Sequence, residues 1–170
     1  MLQENREQLT RDGQMEGAMP MRVCLLALAP AEGRTPWWAR GLRFSHLVVV
    51  VGDVVWDQPI RGKGAAYDLN SWIDSAGRER EYVAITVEVR NHSPLRWREA
   101  CKAVEGKKGQ PLRTLLRHLG MWRWVPWNCT SPVRVLLGAL DIQVTGETPD
   151  AILTELAHPA DHGVHQSIAD

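Results

Sequence analysis

Residues 45–57 read Ser-His-Leu-Val-Val-Val-Val-Gly-Asp-Val-Val-Trp-Asp, and they carry the clearest structural signal in the chain. Two β-branched runs flank the dipeptide Gly52-Asp53, a pattern typical of a β-hairpin with a two-residue turn. With that turn, Val48 lies opposite Asp57. His46 and Asp57 then share one face of the sheet as diagonal neighbours, about 7–8 Å apart at Cα and within reach of each other's side chains.

The pattern around the hairpin predicts strands first and helices afterwards. An apolar run over 22–28 predicts a buried strand, and the alternation over 82–89 predicts a further strand with one buried face. Residues 58–80 are rich in Gly, Lys and Arg and predict mostly loop. Four helices follow, beginning after Ser93, at Pro111, at Cys129 and after Thr148. This segregation favours the α+β class over an alternating α/β fold.

Each predicted helix has apolar residues at helical spacing on one face. These residues are Trp97, Ala100, Cys101 and Val104; Leu112, Leu115, Leu116 and Leu119; Val133, Leu136, Leu137 and Leu140; and Ile152, Leu153 and Leu156.

Length and composition predict one folded domain. The chain has 170 residues, of which 44% are hydrophobic, enough to bury a core. We expect a flexible N-terminal arm over 1–20, a domain over 21–157 and a polar C-terminal tail over 158–170. No apolar run approaches the roughly 20 residues of a membrane span. The N-terminus also lacks the apolar stretch of a signal peptide, so we expect a cytoplasmic or virion-associated protein.

Charge is balanced overall but unevenly distributed. The 20 Lys and Arg equal the 20 Asp and Glu, so a polyanion-binding surface over the whole protein is not implied. Residues 95–135 hold nine basic and two acidic side chains, whereas residues 141–170 hold six acidic and no Lys or Arg. This bipolarity suits either solvated helix faces or attraction to an anionic polymer or a partner chain. No nucleic-acid-binding motif accompanies it, so nucleic acid is not a favoured partner.

The sequence contains no recognisable cofactor or metal motif. Cys24, Cys101 and Cys129 stand far apart without a C-x-x-C, which excludes a zinc ribbon and a disulfide framework. Residues 62–64 lack the spacing of a phosphate-binding loop. Three tail histidines, at 158, 162 and 165, have no accompanying ligand set. We therefore expect no metal and no cofactor.

Cys129 is the candidate nucleophile because it begins a predicted helix. Unpaired N–H groups at a helix start create a positive potential that favours a thiolate and can face a developing oxyanion. A cysteine nucleophile needs a base held by a third polar group, and His46 with Asp57 offers both. The alternative is that Cys129 is an ordinary core residue, sharing a face with Val133 and Leu136, while the hairpin ends are merely exposed.

Three tryptophans, Trp122, Trp124 and Trp127, precede the candidate nucleophile. Their aromatic faces suit a substrate cleft that accepts sugars, acyl chains or peptide stems. Packing around the start of the helix explains them equally well.

The order of these motifs resembles the circularly permuted NlpC/p60 superfamily of papain-like proteins, including its lecithin:retinol acyltransferase-like branch and its phage and bacterial members. The matching elements are His46 followed by five apolar residues and Gly52-Asp53, then Asn128-Cys129 before a Leu-rich helix. In that branch the histidine strand precedes the cysteine helix, as here. The resemblance spans about residues 21–157. It implies a small antiparallel sheet packed against helices, with catalytic Cys129, His46 and Asp57.

The resemblance also implies a function. It suggests a thiol hydrolase acting on amide bonds, with a peptide or cell-wall peptide as substrate and Asn128 joining the tryptophans in substrate binding. A phage virion component is one setting, with other virion or assembly proteins as partners. Thr130-Ser131 differs from the residues of acyltransferase-like members, so lipid acyl hydrolysis or transfer is a lesser alternative. A non-enzymatic structural or binding module is the competing interpretation.

Overall fold

The computed structural model describes residues 20–31, 42–77, 81–90, 92–121, 123–158 and 166–167. The expected N-terminal arm lies outside these ranges except for its last residue, Pro20.

An antiparallel sheet forms the framework. Its strands are β1 (Met21–Leu28), β2 (His46–Val51), β3 (Val54–Asp57), β4 (Ala65–Asp68), β5 (Tyr82–Val89) and the two-residue β6 (Gln166–Ser167). They are arranged in the order β4-β3-β2-β1-β5-β6, so the apolar β1 occupies the interior of the sheet. The short β6 pairs with the outer edge of β5, and the predicted C-terminal tail thus contributes two residues to the sheet.

Five helices accompany the sheet in the described part of the chain. They are α1 (Leu69–Trp72), which continues as a π-helical turn over Ile73–Gly77, α2 (Pro94–Val104), α3 (Pro111–His118), α4 (Thr130–Gly138) and α5 (Pro149–Ala157). The predicted caps are present: the Ser93 hydroxyl accepts from the Arg96 amide, and the Thr148 hydroxyl accepts from the Ala151 amide. The α+β class is therefore confirmed.

The predicted loop over 58–80 contains a short strand and a short helix, which its Gly-, Lys- and Arg-rich composition did not indicate. β4 pairs with β3, and α1 follows it directly because Asp68 caps the helix by accepting from the Ser71 amide. Both elements are only four residues long, too short for periodicity to identify.

One face of the sheet is covered by α4 and α5, with α2 packed against α4. The apolar residues predicted for α4 and α5 point into this core: Val133, Leu136, Leu137, Leu140, Ile152, Leu153 and Leu156 are all buried. They meet alternate residues of the strands, such as Leu25 on β1, Val49 on β2 and Val87 on β5. The helical periodicity of the sequence thus matches the main core.

The opposite face of the sheet carries a smaller cluster, in which Val48, Val50 and Val55 pack with Trp72 of α1. Since alternate residues of a strand share a face, His46 and Asp57 belong to this side of the hairpin. The cluster therefore places an indole beside the two candidate catalytic side chains.

Helix α3 is oriented differently from the other helices. Leu112 and Leu119, members of its predicted apolar face, are 67% and 60% exposed, whereas Thr114 is only 5% exposed. Periodicity identifies which residues share a face but not which neighbour that face meets. No helix among the described residues is both long enough and apolar enough to cross a bilayer.

Candidate active site

The hairpin brings His46 and Asp57 into direct contact. Val51 pairs with Val54 across the Gly52-Asp53 turn, as predicted, and Gly52 adopts a positive φ of 57°. The Nε2 atom of His46 lies 2.7 Å from Oδ1 of Asp57. The two side chains are only 15% and 13% exposed, so solvent screens their interaction weakly.

Trp72 holds the second oxygen of the same carboxylate. Its Nε1–H donates to Oδ2 of Asp57 at 2.8 Å, and the indole is 4% exposed. Asp57 is thereby fixed from two directions. Sequence reasoning missed this residue, because its helix was hidden in the predicted loop and nothing in the local pattern linked position 72 to position 57.

Cys129 occupies the N-cap position of α4, immediately before Thr130. Neighbouring side chains hydrogen-bond the backbone at the start of the helix. The Asn128 side-chain oxygen accepts from the Thr130 amide and hydroxyl, and the Ser131 hydroxyl accepts from the Asn128 amide. The backbone N–H of Cys129 has no acceptor among the described residues. A free N–H thus lies beside a free thiol at the positive end of a helix.

Cys129 and His46 line the same cleft, and the sulfur of Cys129 lies near enough to the imidazole to contribute to its raised pKa. Because Nε2 faces Asp57, the ring nitrogen left for the sulfur is Nδ1. The structure therefore brings the three predicted catalytic side chains together in the order Cys129, His46, Asp57.

This arrangement favours a charged imidazole. Burial opposes the charge, but the hydrogen bonds and negative potential of Asp57 and Cys129 outweigh it and raise the pKa of His46 to about 10. At neutral pH the ring therefore carries a proton that it can deliver. Burial raises the pKa of the Cys24 and Cys101 thiols and so favours their protonated forms.

A small cleft of about 50 Å³ opens beside the sulfur. Its walls combine apolar side chains with hydroxyl groups and two further titratable residues. The lining residues include Leu42, Ile60 and Pro149; Thr114, Thr130 and Thr148; and His118 and Glu147, together with His46, Asn128 and Cys129. Substrate entering the cleft would meet the nucleophile, the base and the free N–H together.

The residues predicted to bind substrate are distributed differently. Asn128 lines the cleft, whereas neither Trp124 nor Trp127 is among its lining residues. Trp124 is 78% exposed, and Trp127 is half-buried. Trp122 lies outside the described residues.

Trp127 instead joins the two halves of the site. Its Nε1–H donates to Oε1 of Gln58 at 2.9 Å. The Gln58 side chain is 1% exposed, and its Nε2 donates to the carbonyls of Pro59 and Gly62. One hydrogen bond therefore connects the residue after Asp57 to the residue two places before Cys129. Gln58 is a second residue that sequence reasoning missed.

Comparison of the chain with family models, with curated proteins and with solved structures finds no match in any of the three. The candidate active site therefore rests on its own geometry: a thiol at a helix start, a buried imidazole and a carboxylate held by an indole.

Proposed function

We propose that this protein is a thiol hydrolase that cleaves amide bonds, with Cys129 as nucleophile, His46 as acid and base, and Asp57 as the group that orients His46. The observation that carries the proposal is a buried imidazole that is hydrogen-bonded to a carboxylate and shares a cleft with a helix-start thiol. Such a juxtaposition is what nucleophilic catalysis by cysteine requires.

In the first half of the reaction, the Cys129 thiolate attacks the carbonyl carbon of the substrate. A carbon–sulfur bond forms as the carbonyl π electrons move onto oxygen. The oxyanion is met by the free N–H of Cys129. His46 then gives its proton to the leaving nitrogen as the carbon–nitrogen bond breaks, which releases an amine and leaves a thioester.

Asn128 offers a second donor to the oxyanion. Its Oδ1 is committed to the amide and hydroxyl of Thr130. The side-chain hydrogen bonds of Asn128 within the described residues all go to Oδ1, which leaves the NH2 group for a ligand, and the residue lines the cleft beside Cys129. In this proposal, the substrate-binding role predicted for Asn128 is a hydrogen bond from its side-chain NH2 to the oxyanion.

In the second half, neutral His46 takes a proton from water. The resulting hydroxide attacks the thioester carbon, the carbon–sulfur bond breaks, and a carboxylic acid departs. The thiolate and the protonated imidazole are restored, so the cycle needs no metal and no cofactor.

A peptide of the cell wall is the first substrate to test, following the resemblance to the permuted NlpC/p60 proteins, with the protein acting in a phage particle. A lipid ester is the second candidate, because Leu42, Ile60 and Pro149 give part of the cleft an apolar wall. The matching experiment incubates the protein with purified peptidoglycan and, separately, with phospholipid.

Release of new amino groups or of fatty acid is measured in these incubations. Activity should be lost in Cys129→Ala and kept in Cys24→Ala, which removes a thiol that does not line the cleft. An active Cys129→Ala protein would exclude the thiol mechanism. Turnover of neither substrate, together with an unreactive Cys129, would favour the structural or binding module instead.

A further inference from the structure

A cluster of large apolar side chains is exposed along α3 and the loop that follows it. Leu112, Leu119, Met121, Trp124 and Val125 are between 42% and 78% exposed. They are five of the eleven exposed large hydrophobic residues in the described part of the chain, and they fall within 14 positions. Such a concentration marks an interaction surface rather than scattered surface residues.

The exposure is a consequence of how α3 is oriented. The helix is strongly amphipathic, yet Thr114 faces inward and lines the catalytic cleft with His118, while Leu112 points outward. Turning an apolar face to water costs free energy that the fold alone does not recover. The orientation of α3 becomes favourable when apolar material from outside the protein covers the face that carries Leu112.

Residues 110–121 and 123–127, here named the interfacial segment, are joined by hydrogen bonds at their two ends. The Gln110 amide donates to the Trp127 carbonyl at 2.9 Å, and the Trp127 amide donates to Oε1 of Gln110 at 3.3 Å. Gly109 packs directly on the backbone of Pro59 and Ile60, where a Cβ atom would lie 2.6 Å from the Ile60 carbonyl oxygen. The backbone that carries the outward-facing side chains is therefore fixed to the rest of the domain.

Charge identifies what covers this surface. Between Glu105 and Asp141 the sequence has six Lys or Arg and no acidic residue, and one of the six, Arg117, is paired with Glu147. Lys107, Lys108 and Arg123 are exposed next to or within the interfacial segment. Exposed tryptophan and leucine flanked by basic side chains are typical of segments that lie in the headgroup region of anionic bilayers.

We propose that the interfacial segment binds the surface of an anionic lipid bilayer, with Leu112, Leu119 and Trp124 inserted among the headgroups and basic residues at the phosphates. This goes beyond the proposed hydrolase activity, because it concerns where the protein docks and not which bond it cleaves. Docking would place the cleft, lined by Thr114 and His118, next to the membrane surface.

The test is sedimentation of the full chain with vesicles of phosphatidylcholine alone and with vesicles containing roughly 30% phosphatidylglycerol. We expect at least about tenfold tighter binding to the anionic vesicles at about 0.1 M salt, weakened at about 0.5 M. The inactive Cys129→Ala protein should bind equally well, which separates this result from the fate of the hydrolase proposal.

Two matched pairs of variants locate the contact. Leu112→Ser and Trp124→Ser should each weaken binding to anionic vesicles severalfold, whereas Leu95→Ser, at a site of similar exposure on α2, should not. Arg123→Gln should weaken binding more than the same change at Arg98, an exposed arginine of α2. Far-ultraviolet circular dichroism checks that each variant is folded.

Equal binding to neutral and anionic vesicles, or no binding at low salt, would overturn the proposal for the unmodified chain without any variant. It would also be overturned if Leu112→Ser and Leu95→Ser behaved alike. A concentration-dependent dimer that Trp124→Ser converts to monomer, without vesicle binding, would assign the surface to contact between copies of the chain.

Discussion

His46 and Asp57 stand eleven positions apart in sequence, yet their side chains meet at 2.7 Å. The contact follows from the two-residue turn at Gly52-Asp53, which sets the register of β2 against β3. A slip of one residue would move every β3 side chain to the opposite face and separate the pair. The length of one turn thus determines whether the imidazole has a carboxylate partner.

Cys129 should be the most reactive thiol at pH 6–7. The protonated imidazole of His46 lies in the same cleft as its sulfur, whereas burial raises the pKa of Cys24 and Cys101. We expect iodoacetamide to label Cys129 at least about tenfold faster than either of the others, measured by peptide mass spectrometry. His46→Ala should remove that preference, and equal labelling of all three thiols would contradict the assignment of Cys129 as the nucleophile.

The pH profile should depend on Asp57. Burial opposes the protonated imidazole, but hydrogen bonds to Asp57 and Cys129 raise the pKa of His46 to about 10, so the proton needed by the leaving group is present at neutral pH and lost toward pH 10. Asp57→Asn removes a negative charge and lowers that pKa. The alkaline limb of kcat/KM should therefore move to lower pH, by about one unit or more.

Asp53→Asn is the control for this shift, because it removes an exposed carboxylate from the turn of the same hairpin. It should leave the alkaline limb in place. An unchanged limb in Asp57→Asn would mean that a group other than His46 sets it.

Trp72 should act as a positioning residue. Trp72→Phe keeps an aromatic ring in the smaller apolar cluster, beside Val48, Val50 and Val55. It removes the N–H that donates to Oδ2 of Asp57. We expect a loss of about 0.5–1.5 kcal/mol in the free energy of unfolding and a severalfold lower kcat. A shift of the alkaline limb should accompany these changes, because the carboxylate is held less firmly against His46.

Trp56→Phe is the matched control for Trp72→Phe. It makes the same change on β3, in a side chain packed against the opposite face of the sheet. A comparable shift in its pH profile would show that the Trp72 effect is only general loosening of the hairpin.

The orientation of α3 gives a contrast between two leucines. Leu136 is fully buried in the main core, so Leu136→Ala should cost about 2–5 kcal/mol of unfolding free energy. Leu112 is 67% exposed, so Leu112→Ala should change stability by no more than about 0.5 kcal/mol. Chemical denaturation measures both, and a large loss at Leu112 would place that side chain in a core.

The local parts of the site were open to prediction from sequence because each depends on short-range chemistry. The two-residue turn predicted the contact between His46 and Asp57, and the helix-start pattern predicted the position of Cys129. Helices with strong caps and core-facing periodicity, such as α5 after Thr148, were likewise predictable.

The remaining features depend on contacts between distant segments, which no local pattern encodes. Trp72 reaches Asp57 only because two four-residue elements, β4 and α1, fold back beside β3. The outward face of α3 is set by the ties of Gln110 and Trp127, not by its own periodicity. The meeting of Cys129 with His46 joins a helix to a strand far away in the chain.

The bond between Gln58 and Trp127 has an evolutionary consequence. The Gln58 side chain is nearly inaccessible to water. Replacing Trp127 by a residue whose side chain has no N–H would therefore leave the buried Oε1 of Gln58 without a hydrogen-bond donor. In divergent homologues we expect positions 58 and 127 to change as a couple, either retaining a donor and acceptor or becoming apolar together. Single replacements at either position should be selected against even where neither residue ever touches a substrate.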